Sequence, residues 1–214
     1  MSGTAEAAPR RRLPEADRCR LLLDAATEVF LRDGYADAHM DEVARAAGMS
    51  KRTLYQHYPS KQALFEEVMR DCLAPIGLDE EMERHPDLPT ALRGMLESVM
   101  RQLFEPRQVA IFRLVIAEVN RSPELAGAFH RAGPGRGAGS LERRLAAEMA
   151  QGRLRPLDPQ EASRMLYGMA IGAAHMFLLL GLPGPPPEAE MSHTVAQAVE
   201  TFLHGVAAGH HREG

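Results

Sequence analysis

Residues 34–61 read GYADAHMDEVARAAGMSKRTLYQHYPSK, and the fold of the whole chain turns on this stretch. Two short helical patterns, residues 40–47 and 51–58, flank the tetrad Ala47-Gly48-Met49-Ser50. Gly48 suits the left-handed backbone that a tight helix-to-helix turn demands, and Ser50 is an N-cap residue for the second helix. Val43, Ala44 and Ala47 on the first helix, with Leu54 on the second, are apolar and small enough for close crossing. This is the pattern of a helix-turn-helix, whose second helix enters the DNA major groove.

The second helix carries the chemistry for that groove. Lys51, Arg52, Thr53, Gln56 and His57 form a polar outer face. Glutamine pairs bidentately with adenine, and arginine or lysine with guanine. Tyr55, Tyr58 and Lys61 are placed for phosphate oxygens, and the helix starts at Ser50 and Ser60 offer free N–H groups to anions. An ordinary solvated helix face is the competing reading. The turn spacing, the tyrosine pair and the second capped start favour DNA.

Working outward, helical periodicity continues in both directions. Leu22, Ala25, Ala26, Val29 and Phe30 share a face in a helix that begins near Glu15 and stops at Gly34. After Ser60 come Leu64, Phe65, Val68, Met69 and Cys72, then a break at Pro75. Pro89 and Asp158-Pro159 mark helix starts, and Ser122-Pro123-Glu124 combines a cap, a first-turn proline and an acid. Gly133 to Gly139 reads as a linker, Leu141, Leu145 and Met149 as a short helix, and the Pro183 to Pro187 cluster as a rigid turn. No stretch alternates with period two. The expected fold is all-α, with about nine helices: a basic arm over residues 1–14, a three-helix DNA-binding domain over 15–61, and a helical domain over 62–214.

Composition narrows the function classes. Residues 1–61 hold ten Lys/Arg against nine Asp/Glu, and the remainder fifteen against twenty, so the basic excess lies at the front, including Arg10, Arg11 and Arg12. An acidic body argues against a non-specific DNA-coating protein. Two cysteines, Cys19 and Cys72, fit reduced core thiols in a reducing compartment. The longest apolar run, residues 173–180, falls far short of the roughly 20 residues of a membrane span. No nucleophile elbow, HExxH, CxxC or Walker loop occurs. The expectation is no enzyme, no metal, no cofactor, no membrane partner, and a cytoplasmic bacterial protein on the nucleoid when bound. His210-His211 reads as part of a disordered tail.

The run Gly34-Tyr35, Val43-Ala44, Ala46-Ala47-Gly48, Ser50-Lys51, Thr53-Leu54-Tyr55, His57-Tyr58, Ser60-Lys61 and Leu64-Phe65 closely resembles the DNA-binding domain of the TetR family of bacterial transcriptional regulators. The resemblance implies a homodimer on a near-palindromic, double-stranded operator, acting as a repressor released by a small-molecule effector. It implies phosphate contacts from Lys51, Tyr55 and Lys61 and base reading by Arg52, Thr53 and Gln56. It also implies a dimer interface built from the last two helices. Where the family places Thr or Ser before the second helix, this chain has Ala38 and His39. Two readings follow: His39 serves as a phosphate donor while Glu42 reaches back to the cap N–H, or the helix start is weaker.

Residues 112–137, FRLVIAEVNRSPELAGAFHRAGPGRG, are similar to the ligand domain of the AcrR/AefR-like branch, which takes diverse apolar or aromatic compounds. The candidate ligand residues are Met95, Val99, Phe104, Phe112, Arg113, Met165, Met169, His175 and Met176. Ordinary core packing competes for each of them. His175 is either a satisfied core imidazole or a ligand contact. Arg113 either meets an acidic ligand or reaches solvent or a carboxylate.

Overall fold

The computed structural model describes residues 14–73, 80–132, 134–182 and 184–206, and for residues 80 and 134–138 it describes the backbone only. Arg10, Arg11, Arg12, Pro75, Pro183 and the His210-His211 pair lie outside the described residues. Every regular element among the described residues is helical. The order is α1 (Glu15–Asp33), α2 (Met40–Ala46), α3 (Lys51–His57), α4 (Lys61–Cys72), α5 (Glu80–Glu83), α6 (Leu88–Leu103), α7 (Pro106–Glu118), α8 (Glu124–Ala132), α9 (Pro134–Ala150), α10 (Pro159–Tyr167), a π turn (Gly168–Gly172), α11 (Ala173–Leu179) and α12 (Glu188–Val206). The π turn joins α10 and α11 into one long helix, so eleven continuous helices are described where the sequence suggested about nine.

Two compact units divide the chain, residues 1–68 and 69–214. The boundary falls inside α4 because the start of that helix packs on the front of the chain. Phe65 meets Phe30 edge-on with ring centroids 5.4 Å apart, and Tyr35 with centroids 4.9 Å apart. Such pairs contribute about 0.5–1.5 kcal/mol beyond the area they bury. Leu22, Ala26, Val29, Val43, Leu54 and Leu64 complete this small core.

The turn between α2 and α3 is closed by two bonds. The Gly48 N–H donates to the Arg45 carbonyl at 3.0 Å, and the Met49 N–H to the Ala44 carbonyl at 2.8 Å. This is the Schellman arrangement, which requires a positive φ at the residue after the cap. Gly48 supplies it at φ 64°, and a side chain there would meet open space. Its role is therefore backbone freedom rather than close packing. Ser50 then caps α3, its hydroxyl accepting from the Thr53 N–H at 3.1 Å. Ser60 accepts likewise from the Ala63 N–H at 3.0 Å.

The second unit is built around Leu92, Met95, Leu96, Val99, Met100, Leu141, Leu145, Leu166, Ile171, Val195, Val199 and Phe202. Asp87 caps α6 through Thr90, and Asp158 caps α10 through the N–H groups of Gln160 and Glu161. The expected linker at Gly133 to Gly139 is overturned from residue 134 onward, since α9 begins at Pro134 and runs 17 residues, while Gly133 lies outside the described residues. Proline is favoured at a first helical position. Each interior glycine costs about 1 kcal/mol relative to alanine, and burial of Leu141 and Leu145 further along the same helix outweighs that. Glu148, itself buried, is held by Arg144 at 2.9 Å and by Arg153, and Arg144 also donates to the Glu83 carbonyl at 2.7 Å, tying α9 to α5.

Candidate nucleic-acid interface

The second helix of the helix-turn-helix stands with one residue down and the rest outward. Leu54 is fully buried and anchors α3, while Lys51, Arg52, Tyr55 and Gln56 are exposed. Four side chains of the expected reading set thus share one solvent-facing surface. Thr53 is half-buried and its hydroxyl lies 2.9 Å from that of Ser50, so it is committed to the cap. Lys51 is ion-paired with Asp41 on α2, an acid that the sequence reading passed over. The clue was present in its place on the first turn of the preceding helix. Surface pairs of this kind contribute about 0–1 kcal/mol, so a phosphate readily competes with Asp41 for the ammonium.

Two expected phosphate contacts have other work. Lys61 donates from Nζ to the carbonyls of Tyr35 and Ala36 at 2.8 Å and of Ala38 at 3.1 Å, and it sits 4.8 Å from the centre of the Tyr35 ring. An ammonium has three protons, and all three are spent. Lys61 therefore clamps the α1–α2 connection. Tyr58 is 9 % exposed and belongs to the core of the first unit rather than to the outer face.

His39 is exposed at the start of α2 and makes no side-chain cap bond. Glu42 does not reach back to it. Its carboxylate accepts from Arg32 at 2.6 Å and from Arg45 at 3.2 Å, because two guanidinium groups offer charge-assisted bonds that a single amide does not match. Arg32 also makes two bonds to Asp33, which hold the Asp33 carboxyl below the usual carboxylate range. His57, at the end of α3, is half-buried with Nδ1 3.6 Å from the Cys19 thiol. Cys19 is thus half-buried beside an imidazole and not a core thiol, whereas Cys72 is buried as expected.

The candidate ligand residues differ in burial. Met95, Val99 and Phe104 are closed in the core of the second unit. Met165, Met169 and Met176 point the other way, at 49, 44 and 55 % exposure, because the side of α10, the π turn and α11 that packs inward carries Ala162, Ser163, Leu166, Ala170, Ile171 and Leu178 instead. Arg113 is exposed to solvent and also donates to the backbone carbonyls of Leu178 and Leu179. Phe112 and His175 do meet, with ring centroids 4.7 Å apart. A cavity of about 400 Å³ lies elsewhere, lined by Glu83, Arg84, Arg143, Arg144 and Ala147. Arg143 there is bound to Glu83 at 3.0 Å through two nitrogens.

Residues 22–68 match the family described as bacterial regulatory proteins, tetR family, and residues 90–205 match the AefR-like transcriptional repressor C-terminal domain. The chain belongs to the TetR family. Family members are transcriptional regulators, and the match extends from the helix-turn-helix through the helical body. The HTH-type transcriptional activator FasR of Mycolicibacterium smegmatis is 51 % identical over 89 residues, which is 41 % of either chain, so the match spans about two fifths of that relative's length. The HTH-type transcriptional regulator BetI of Escherichia coli is 26 % identical over 183 residues, 84 % of this chain and 90 % of BetI. Among solved structures, the flavonoid-responsive regulator FrrA is 28 % identical with a TM-score of 0.74, covering 90 % of this chain and 98 % of FrrA. A TetR-family regulator from Mesorhizobium loti shares the fold, with a TM-score of 0.79 at 24 % identity over 92 % of this chain and the whole of that one. No described helix is long and apolar enough to cross a membrane.

Proposed function

We propose that this chain is a sequence-specific DNA-binding repressor that works as a homodimer on a palindromic operator and is released by a small-molecule effector. The carrying observation is α3: Lys51, Arg52, Tyr55 and Gln56 exposed around the single buried anchor Leu54. Within that set Arg52 and Gln56 read base edges. Lys51 and Tyr55 contact phosphates and set the register. His39, at the exposed start of α2, is a further phosphate donor.

Dimerisation is supported by the long helix of the second unit. Met165, Met169, Met176, Phe177 and Leu180 all lie exposed along α10, the π turn, α11 and the residue that follows. A contiguous apolar surface of this kind marks an interaction site. A two-fold operator presents successive major grooves about 34–36 Å apart, one for the α3 of each copy. An effector that favours a different spacing lowers operator affinity by linkage. The protein then works in the cytoplasm, on the nucleoid when bound, and needs no catalytic group or cofactor.

Footprinting on the DNA that flanks the chain's own gene tests this reading. One protected site with two-fold symmetry is expected, with protection lost on adding the effector and transcription rising as protection falls. Uniform protection of all DNA, or none, refutes it. Transcription that rises on binding makes the protein an activator.

A further inference from the structure

His175 sits among aromatic rings with one nitrogen left over. Its ring stacks near-parallel to Phe104, at 17° and 6.3 Å between centroids, and meets Phe112 edge-on at 86° and 4.7 Å. Phe112 in turn meets Phe129 at 80° and 4.7 Å. Nε2 of His175 is shielded from solvent and has no hydrogen-bond partner among the described residues. Shielded polar atoms are nearly always bonded, so an exception in a folded protein calls for an explanation. His175 as a whole residue is half-buried.

The surroundings say what kind of partner fits. Burial lowers the basicity of His175, so its ring is neutral near pH 7. Arg113, next to Phe112 on α7, directs its guanidinium to the carbonyls of Leu178 and Leu179. The neutral imidazole and the phenyl rings around it offer an anion no countercharge of their own. The walls are phenyl rings, against which another aromatic ring packs in offset or edge-on geometry. A neutral imidazole nitrogen accepts or donates according to tautomer, and a hydroxyl group satisfies either.

We propose that His175 is the polar anchor for an uncharged planar aromatic effector carrying a hydroxyl group, held against Phe104, Phe112 and Phe129. This rests on the effector-released reading above and gives that effector a chemical class. The site also bridges two helices already fastened to each other, α7 through Arg113 and α11 through its terminal carbonyls. An effector seated there acts on the helix that carries the exposed methionines.

The test uses the full chain and three fluorescent probes: 1-naphthol, naphthalene and 1-naphthoate. The chain has no tryptophan, so probe emission is read without overlap. Wild type is expected to bind 1-naphthol at least roughly tenfold more tightly than either other probe, a difference of about 1.4 kcal/mol. His175→Phe, checked for unchanged helix content by circular dichroism, should lose that preference and keep its naphthalene affinity. Phe112→Leu should weaken 1-naphthol and naphthalene alike. The anchor is refuted if wild type does not distinguish 1-naphthol from naphthalene, if His175→Phe still does, or if no probe binds. Operator binding is measured separately by gel shift. If 1-naphthol binds with the expected preference and the operator complex survives, the anchor stands and the release reading falls.

Discussion

The ammonium of Lys61 donates to the carbonyl of Tyr35 at 2.8 Å, binding the start of α4 to a loop 26 residues earlier in the chain. With the bonds to Ala36 and Ala38 it fixes the entry into α2, and so the seat of the helix-turn-helix. Lys61→Met keeps the stem and removes three charge-assisted bonds. Bonds to charged groups contribute about 1.5–3 kcal/mol each, with strong non-additivity. Urea unfolding is expected to show a loss of about 2 kcal/mol, while the salt dependence of operator binding stays that of wild type. The reverse result, an intact midpoint with a flattened salt slope, would return Lys61 to the phosphate set.

Lys51 behaves differently because its partner is an exposed carboxylate. Lys51→Ala should weaken binding to every DNA sequence alike and reduce the salt slope by about one per subunit. Asp41→Asn removes the competitor for that ammonium. It should tighten binding to all sequences without altering their ranking. Titration of operator and scrambled duplexes across a salt series checks both.

Gln56 is exposed in the middle of the reading face. Gln56→Ala is expected to cost about 1–3 kcal/mol against the preferred base and to relax selection at one base pair per half-site. Binding across a set of single-substitution operators measures it. A uniform loss across that set would place Gln56 outside base recognition.

Met169 is 44 % exposed on α10's continuation, amid the other uncovered methionines. If this face joins two copies, Met169→Asp buries one unpaired charge from each. Breaking up such an environment costs at least about 3 kcal/mol of association. Sedimentation should show a monomer where wild type is a dimer, and the symmetric footprint should vanish. A variant that remains dimeric would move the interface elsewhere.

Glu148 makes the second unit sensitive to acid. Hydrogen bonds from Arg153, then Arg144, hold its carboxyl below the range of a free glutamate. Its folded pKa thus lies under its unfolded value of about 4.3. The stability it contributes is fully present above that unfolded value and is lost as the pH falls through the folded one. Glu148→Gln leaves Arg144 partly buried without its anion and should cost about 3 kcal/mol at neutral pH. Its stability should also vary less with pH below about 4.3 than wild type. Chemical unfolding at pH 7 and pH 4 separates the two effects.

Much of the DNA-binding half was legible because its determinants are local. Gly48 ends one helix, Ser50 begins the next, and Leu54 is the lone apolar residue that three-to-four spacing turns inward. Each of these acts within a few residues of itself, so neighbouring letters carry the information. Tyr58 shows the limit, since its position one residue past α3 turned it into the core rather than onto the outer face.

Residue types, caps and periodicity alone determined the helical class, the helix-turn-helix and the polar reading face. The tertiary structure alone decided that Lys61 spends its protons on a distant loop, that the glycines before Leu141 enter a helix, that Met165, Met169 and Met176 face outward, and that His175 keeps one nitrogen unbonded among phenyl rings. The physical reason is common to all four. A side chain's chemistry is set by its own atoms, but the acceptors, apolar surface or solvent it meets come from segments tens of residues away, and folding alone brings those together.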